Sequence, residues 1–170
     1  IRFFCAIRHP DGKVFEGDMR SLLKHAEDRA LRMGYLCRIG AECEFYLFHS
    51  DEDGSPTELP YDNGGYLDIS PLDRCENVRR EICLTLEQMG IQPESSHHEQ
   101  GPGQNEIDFR YSGALSAADN LITFKSVVKA IAEKNGLFAS FLPKPIINRS
   151  GSGLHVNISL AKAGDRNGSS

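Results

Sequence analysis

No apolar run in this sequence approaches the length of a bilayer crossing, and no signal-peptide pattern opens it. Clustered cations are missing too. Its 19 basic and 24 acidic side chains leave a net charge of −5, which argues against a general nucleic-acid binder, because neutralising phosphates takes grouped Lys and Arg. No Cys-x-x-Cys pair occurs. Cys5, Cys37, Cys43, Cys75 and Cys83 make an odd set, whereas disulfide frameworks are dense and usually even. Reduced, partly buried thiols in a cytoplasmic protein are therefore expected. There is no internal repeat. The Gly101-Pro102-Gly103 run is not a phosphate loop, since no strand–GxxxxGK–helix context surrounds it. An initiator Met is absent, and the chain ends in the polar stretch Ala163–Ser170, which predicts a piece cut from a longer protein.

What is present predicts one domain with a real core: 170 residues, 39% apolar and 25% charged. Ile1–Ile7 reads as a strand closed by the turn His9-Pro10-Asp11-Gly12. Asp18 is placed to cap a helix through Met33, with Leu22, Leu23, Ala26, Ala30 and Leu31 at helical spacing and Gly34 as its stop. A strand over Leu36–Phe48 precedes a polar loop, Ser50–Pro60. Ser70-Pro71 pairs an N-cap residue with a Pro suited to a first helical position. That helix turns Val78, Ile82, Leu86 and Met89 inward and stops at Gly90. Ser116 with Asp119 resembles a capping box, opening a helix that ends at Asn135-Gly136. Leu137–Leu142 and Leu154–Leu160 complete the strands. The class implied is α+β, a mostly antiparallel sheet with covering helices on one side.

Three runs carry chemistry. In Gly40–Phe48, strand alternation puts Glu42, Glu44 and Tyr46 on one face and Cys43, Phe45 and Leu47 on the other. Solvated acids on a half-exposed strand would account for this run alone. Adjacent same-face carboxylates nonetheless repel, and Glu is a poor strand former, so a cation between them would ease the pairing. In His97–Asp108 the Gly-Pro-Gly turn brings Glu99 and Glu106 near each other across a hairpin, which an ordinary polar hairpin would also do. In Gly151–Leu160, His155, Asn157 and Ser159 alternate with Leu154, Val156, Ile158 and Leu160. Four Glu and one His favour a hard cation, Mg²⁺ or Mn²⁺, over zinc. Carboxylates gathered without a cation would raise one another's pKa. Two ions would relieve that and supply the clamp that phosphoryl transfer uses.

At these residues the chain resembles the glutamine synthetases, type I in character. Gly40–Phe48 is similar to their GxExEFxLF segment, and Ser96–Asp108 to their HHE-x-x-PGQ-x-E-I-D segment. Phe141-Leu142-Pro143-Lys144-Pro145 followed by Gly151-Ser152-Gly153-Leu154-His155 resembles FMPKP…NGSGMHxHxSL. The segments fall in family order over residues 1–160, with Ala118-Asp119-Asn120…Lys125 also matching between them.

The resemblance implies the first half of the catalytic domain of the glutamine synthetase/guanidino kinase-like fold. A small N-terminal domain would precede it and the C-terminal half would follow. Glu44, Glu99 and Glu106 would hold the metal beside glutamate, and Glu42 and His155 the metal beside ATP. Glu94, Asn157 and Ser159 would contact ATP, and Ser150 and Gly151 would hold the substrate amino acid. The implied reaction is ATP phosphorylation of a γ-carboxylate to γ-glutamyl phosphate, then attack by ammonia to give glutamine, in a ring-shaped homo-oligomer. The family's arginines and flap would lie beyond residue 170, so this stretch alone is expected to be inactive. The family usually has Asn where this chain has Ser150 and commonly His where it has Asn157. These departures keep two alternatives in view: a γ-glutamyl–amine ligase acting on an analogue or a polyamine, and a non-catalytic binding or structural homologue. A guanidino kinase is disfavoured, because those enzymes use arginine clusters.

Overall fold

The computed structural model describes residues 2–164. Its elements run α1 (Met19–Arg32), β1 (Tyr35–Ser50), β2 (Pro56–Pro60), α2 (Glu76–Gln88), β3 (Pro93–His98), β4 (Gln104–Phe109), β5 (Ser112–Gly113), α3 (Ala114–Lys134), β6 (Leu137–Ser140) and β7 (Leu154–Lys162). The long strand β1 is the hub of the sheet, pairing with β2, β4, β5, β6 and β7, while β3 pairs with β4. The registers of β1 with β2, β4, β5 and β6, and of β3 with β4, are all antiparallel, as the α+β reading requires. No described helix is long and apolar enough to cross a membrane.

The chain divides into two compact units. The larger, Ala41–Arg110 with Leu121–Val156, contains the apolar core. The alternation read in β1 produces that core: Cys43, Phe45 and Leu47 are 0–2% exposed and point into it. From α2 come Val78, Ile82 and Leu86, four residues apart and so on one helical stripe. From α3 come Phe124, Val127, Val128 and Ala132. Phe124 meets Phe109 edge-on at 4.8 Å and Phe45 at 5.9 Å between ring centroids, the geometry that aromatic quadrupoles prefer. Burial pushes the Cys43 thiol up to about 12, so it serves as a small apolar side chain. All five cysteines are free.

A polar network threads the same unit. Asp62, 4% exposed, accepts hydrogen bonds from the Gly64, Arg74 and Gly103 amides and lies 2.9 Å from His98 Nε2. Arg79 makes a two-pronged pair with Asp73 and donates to Asn105 Oδ1 at 2.7 Å; Asn105 Nδ2 in turn donates to the Gly103 carbonyl. Gly103 is thus held from both sides. Its φ of +69° and the 2.6 Å that would separate an added Cβ from the Leu47 carbonyl require glycine there.

Among the described residues, the smaller unit comprises residues 2–40, 111–120 and 157–164. Asp18 caps α1 through the Ser21 amide, as its position in the sequence predicts. Arg20 pairs with Asp119, and Glu27 accepts the Leu115 amide at 3.3 Å.

Several expectations are corrected. Residues 2–7 form no strand and are exposed; Ile1 lies outside the described residues. A strand needs a paired neighbour, and the bridge Arg8–Val14 forms only at the turn beyond them. The loop Ser50–Pro60 contains β2, because Asp51 Oδ1 takes the Asp53 and Ser55 amides and turns the chain back onto β1. Pro71 does not open α2. Its peptide with Ser70 is cis, and the helix starts at Glu76, after Asp73 accepts the Cys75 amide. Met89 caps that helix and is 54% exposed. The third helix opens at Ala114, and Asp119 within it serves Arg20 and not a cap. The strand from Leu137 ends at Ser140.

The Asp62 pair gives a stability prediction with a defined pH window. Burial opposes ionisation of Asp62, but hydrogen bonds from His98 and the Arg74 and Gly103 amides outweigh it and hold the carboxyl well below its usual range. Burial likewise works to lower the His98 pKa, yet Asp62 and the Glu99 carbonyl raise it. The Asp62 contribution is therefore present above the unfolded carboxylate pKa, about 3.9, and is lost as pH falls through the depressed folded value. The His98 contribution is present below about 6.5 and is lost as pH rises through the elevated folded value. Asp62→Ala is expected to cost about 3–5 kcal/mol near pH 6 by urea unfolding, since it strands buried donors. Its deficit against the wild type should shrink below about pH 4.

Candidate metal centre

Strand register builds the site. Across β1 and β4, Glu42 faces Asp108, Glu44 faces Glu106 and Tyr46 faces Gln104. Directly opposed residues of an antiparallel pair share a face, so four carboxylates meet two by two on the side away from the core. The hairpin adds a third rank, with His97 of β3 opposite Glu106. His97 Nε2 lies 3.1 Å from both Glu99 Oε1 and Glu106 Oε2. From β7, His155 Nδ1 lies 3.0 Å from Glu42 Oε2. Two donor groupings result, Glu42–Glu106–His155 and His97–Glu99–Glu106, each with one ligand atom per residue within 4.8 Å of the others. Glu106 belongs to both.

Glu44 stands beside these groupings with its carboxylate already oriented. Its Oε2 accepts from Gln104 Nε2 at 2.6 Å and from the Gly153 amide at 2.9 Å, while its own amide donates to the Gly153 carbonyl. Gly153 permits this approach, since an added Cβ would lie 2.6 Å from Glu44 Oε1. Tyr46 donates to the Ser150 carbonyl at 2.6 Å. Burial, and then the Glu44 charge, push its hydroxyl up to about 12, so it stays a donor.

The electrostatics are those of a cation site. Glu106 is 7% exposed, and burial together with Asp108, Glu99 and Glu44 pushes its pKa up to about 8. Asp108 Oδ1 is buried without a hydrogen-bond partner. A hard divalent ion fits such a set: the donors are mainly carboxylate oxygens, the like charges around Glu106 raise its pKa, and the orphaned Asp108 oxygen stands on the opposed strand. A further grouping, Asp62, Asp73, Cys75 and His98, is equally close-set but already balanced, because Arg79 takes both Asp73 oxygens and His98 pairs with Asp62.

The structure thus gathers Glu42, Glu99, Glu106 and His155, with Glu44 opposite Glu106. Ser150 and Gly151 join through Tyr46 and through Gln104, whose amide donates to the Gly151 carbonyl at 2.9 Å. Ser150 Oγ donates to Gln100 Oε1 at 3.3 Å. Glu94 is exposed at the start of β3, beside Glu87, Gln92 and Arg110, and does not enter the cluster. Asn157 and Ser159 are exposed residues farther along β7. The sequence pattern alone does not single out His97, Gln104 or Asp108 as members of the site. A signal for the last two exists in the alternation of Gln104, Glu106 and Asp108.

Comparison with known proteins gives this arrangement its family. Residues 16–169 match the family model for the glutamine synthetase catalytic domain. The chain is 53% identical over 163 residues to a glutamine synthetase of Clostridium saccharobutylicum, covering 96% of this chain and 37% of that protein. It is 52% identical over 155 residues to a glutamine synthetase of Methanosarcina mazei, covering 91% and 35%. Among solved structures, a GmaS/ADP complex shares 36% identity at a TM-score of 0.80, over 91% of this chain and 36% of that one. Plasmodium falciparum glutamine synthetase shares 28% identity at 0.80, over 93% and 37%. The chain therefore spans 35–37% of the length of these curated relatives. It belongs to the glutamine synthetase catalytic-domain family.

Proposed function

We propose that this chain is the first half of the catalytic domain of an ATP-dependent ligase that joins ammonia to the γ-carboxylate of glutamate, giving glutamine by way of γ-glutamyl phosphate. The observation that carries this reading is the face shared by Glu42, Glu44, Glu99, Glu106 and His155, with the Glu106 carboxyl raised to about 8 by burial and by its acidic neighbours. Glu44, Glu99 and Glu106 would hold one divalent cation, Mg²⁺ or Mn²⁺, and Glu42 and His155 would hold another. Bound there, the cations would supply neutralisation of the negative charge that phosphoryl transfer develops. The protein's part is orientation. Gly153 and Gln104 aim the Glu44 carboxylate, and Tyr46 fixes the Ser150 carbonyl so that residues 150 and 151 present backbone groups to the amino-acid substrate. Glu94, Asn157 and Ser159 serve ATP.

Leu154, Val156, Ile158 and Leu160, 45–64% exposed, form an apolar strand face of the kind a further segment covers. With relatives more than twice as long, this fits a longer protein; by family resemblance its further segments would supply the arginines and flap, and the whole would assemble as a ring in the cytoplasm. One feature favours a second acceptor or substrate. Ser150 is shorter than the Asn usual in the family, and its hydroxyl is engaged by Gln100, which fits a γ-glutamyl–amine ligase or a glutamate analogue.

Two measurements test the reading. Glu99→Gln keeps the shape but removes a formal charge, and in the full-length protein it should weaken Mn²⁺ binding at least about tenfold by calorimetry, or about 1.4 kcal/mol. Unchanged affinity contradicts the assignment. For the substrate, a lost hydrogen bond to a charged ligand costs about 1.5–3 kcal/mol, roughly ten- to 150-fold in kcat/KM. Ser150→Asn should recover much of that for glutamate in a phosphate-release assay with ammonia. Efficient glutamate turnover by the unaltered enzyme, with no gain in the variant, would make Ser150 neutral.

A further inference from the structure

Gln104 is 0% exposed, and both polar atoms of its amide are engaged. Nε2 donates to Glu44 Oε2 at 2.6 Å and to the Gly151 carbonyl at 2.9 Å. Oε1 accepts the Gly101 amide at 2.8 Å and lies 3.1 Å from the Tyr46 hydroxyl. Chemistry allows the amide only one way round, because a carboxylate and a carbonyl accept while a backbone N–H donates. The two hydrogens of one nitrogen are thereby divided between the Glu44 carboxylate and the backbone beside Ser150. Asn would be one methylene too short, and Glu would set an acceptor against two acceptors.

The surroundings leave little room for the amide to move. Gln104 lies opposite Tyr46 in the β1–β4 register, and an added Cβ on Gly101 would fall 2.8 Å from Gln104 Oε1. Tyr46 donates to the Ser150 carbonyl, so the segment 150–151 is held by two neighbouring side chains of the paired strands. A buried amide with its hydrogen bonds complete transmits position well, since displacing either partner strands a buried donor.

We propose that Gln104 is a positioning residue that locks the Glu44 carboxylate and the Ser150–Gly151 backbone into one unit, so that the metal ligand and the amino-acid site keep a fixed relative place. This rests on the reading of Glu44 as a ligand and of residues 150 and 151 as the substrate segment. Loss of the amide then loosens both at once, whereas a merely structural Gln104 would lower the melting temperature and leave binding intact.

The test uses the full-length protein as Gln104→Met, which removes both donors, and Gln104→Glu, which keeps the shape but removes the donation. Thermal melts establish folding. If the Met form does not fold, the Glu form carries the test with the same expectation. Calorimetric titration with Mn²⁺ alone should show affinity reduced about 10–100-fold, the usual cost of removing a residue that orients a ligand. Glutamate KM at saturating Mn²⁺ should rise about tenfold with kcat changing less, the signature of lost ground-state binding. Glu44→Gln separates the positioning role from the metal reading beneath it. If it weakens Mn²⁺ binding while a folded Gln104 variant keeps wild-type affinity, the positioning role is overturned and the metal reading stands. If Glu44→Gln itself binds Mn²⁺ normally, the metal reading falls and this inference with it. Weakened Mn²⁺ binding with unchanged glutamate KM overturns the link to Gly151.

Discussion

Glu106 faces Glu44 across β1 and β4, lies near Glu99 and Asp108, and is almost wholly out of water. Like charge so placed costs free energy in two ways, through mutual repulsion and through desolvation, and both favour the protonated acid. A sheet built for stability alone would put apolar or opposite-charge pairs at these positions. The fold instead gives the core-averted face of its hub strand to acids and draws stability from the other face. Cys43, Phe45 and Leu47 alternate with Glu42 and Glu44, so one strand serves the core and the site together.

Holding such a cluster requires rigid supports, and these are polar and buried. Asp62 ties His98, at the end of β3, to Gly103, just before the return strand, while Asn105 of β4, itself held by Arg79 of α2, secures the Gly103 carbonyl. The adjacent histidines take opposite roles: His98 faces this network and His97 faces Glu99 and Glu106. The hairpin that carries two candidate ligands is thus fixed from beneath by charge pairs that balance internally, and from the side by Gln104.

Much of this arrangement is legible in the amino-acid sequence. Period-two alternation places Glu42 and Glu44 together, and the Gly-Pro-Gly turn joins Glu99 to Glu106, because both signals are local. The caps and stops of α1 and the inward stripe of α2 follow from spacing in the same way. What stays hidden depends on pairing that is distant in sequence. The register that sets Glu42 opposite Asp108 and Tyr46 opposite Gln104 is not encoded in either strand by itself; alternation puts Gln104 and Asp108 on the Glu106 face but does not say what they meet. The run at residues 2–7 has strand character but is not part of any of the described strands, and Pro71 has the right residue type for a helix start, where Asp73 supplies the turn instead.

The most direct measurement is diffraction from crystals of the full-length protein grown with Mn²⁺, collected at the manganese absorption edge. The account predicts two anomalous peaks on the carboxylate face, one held by Glu44, Glu99 and Glu106 and one by Glu42 and His155. No peak at either place, or manganese among Asp62, Asp73, Cys75 and His98 instead, would contradict it.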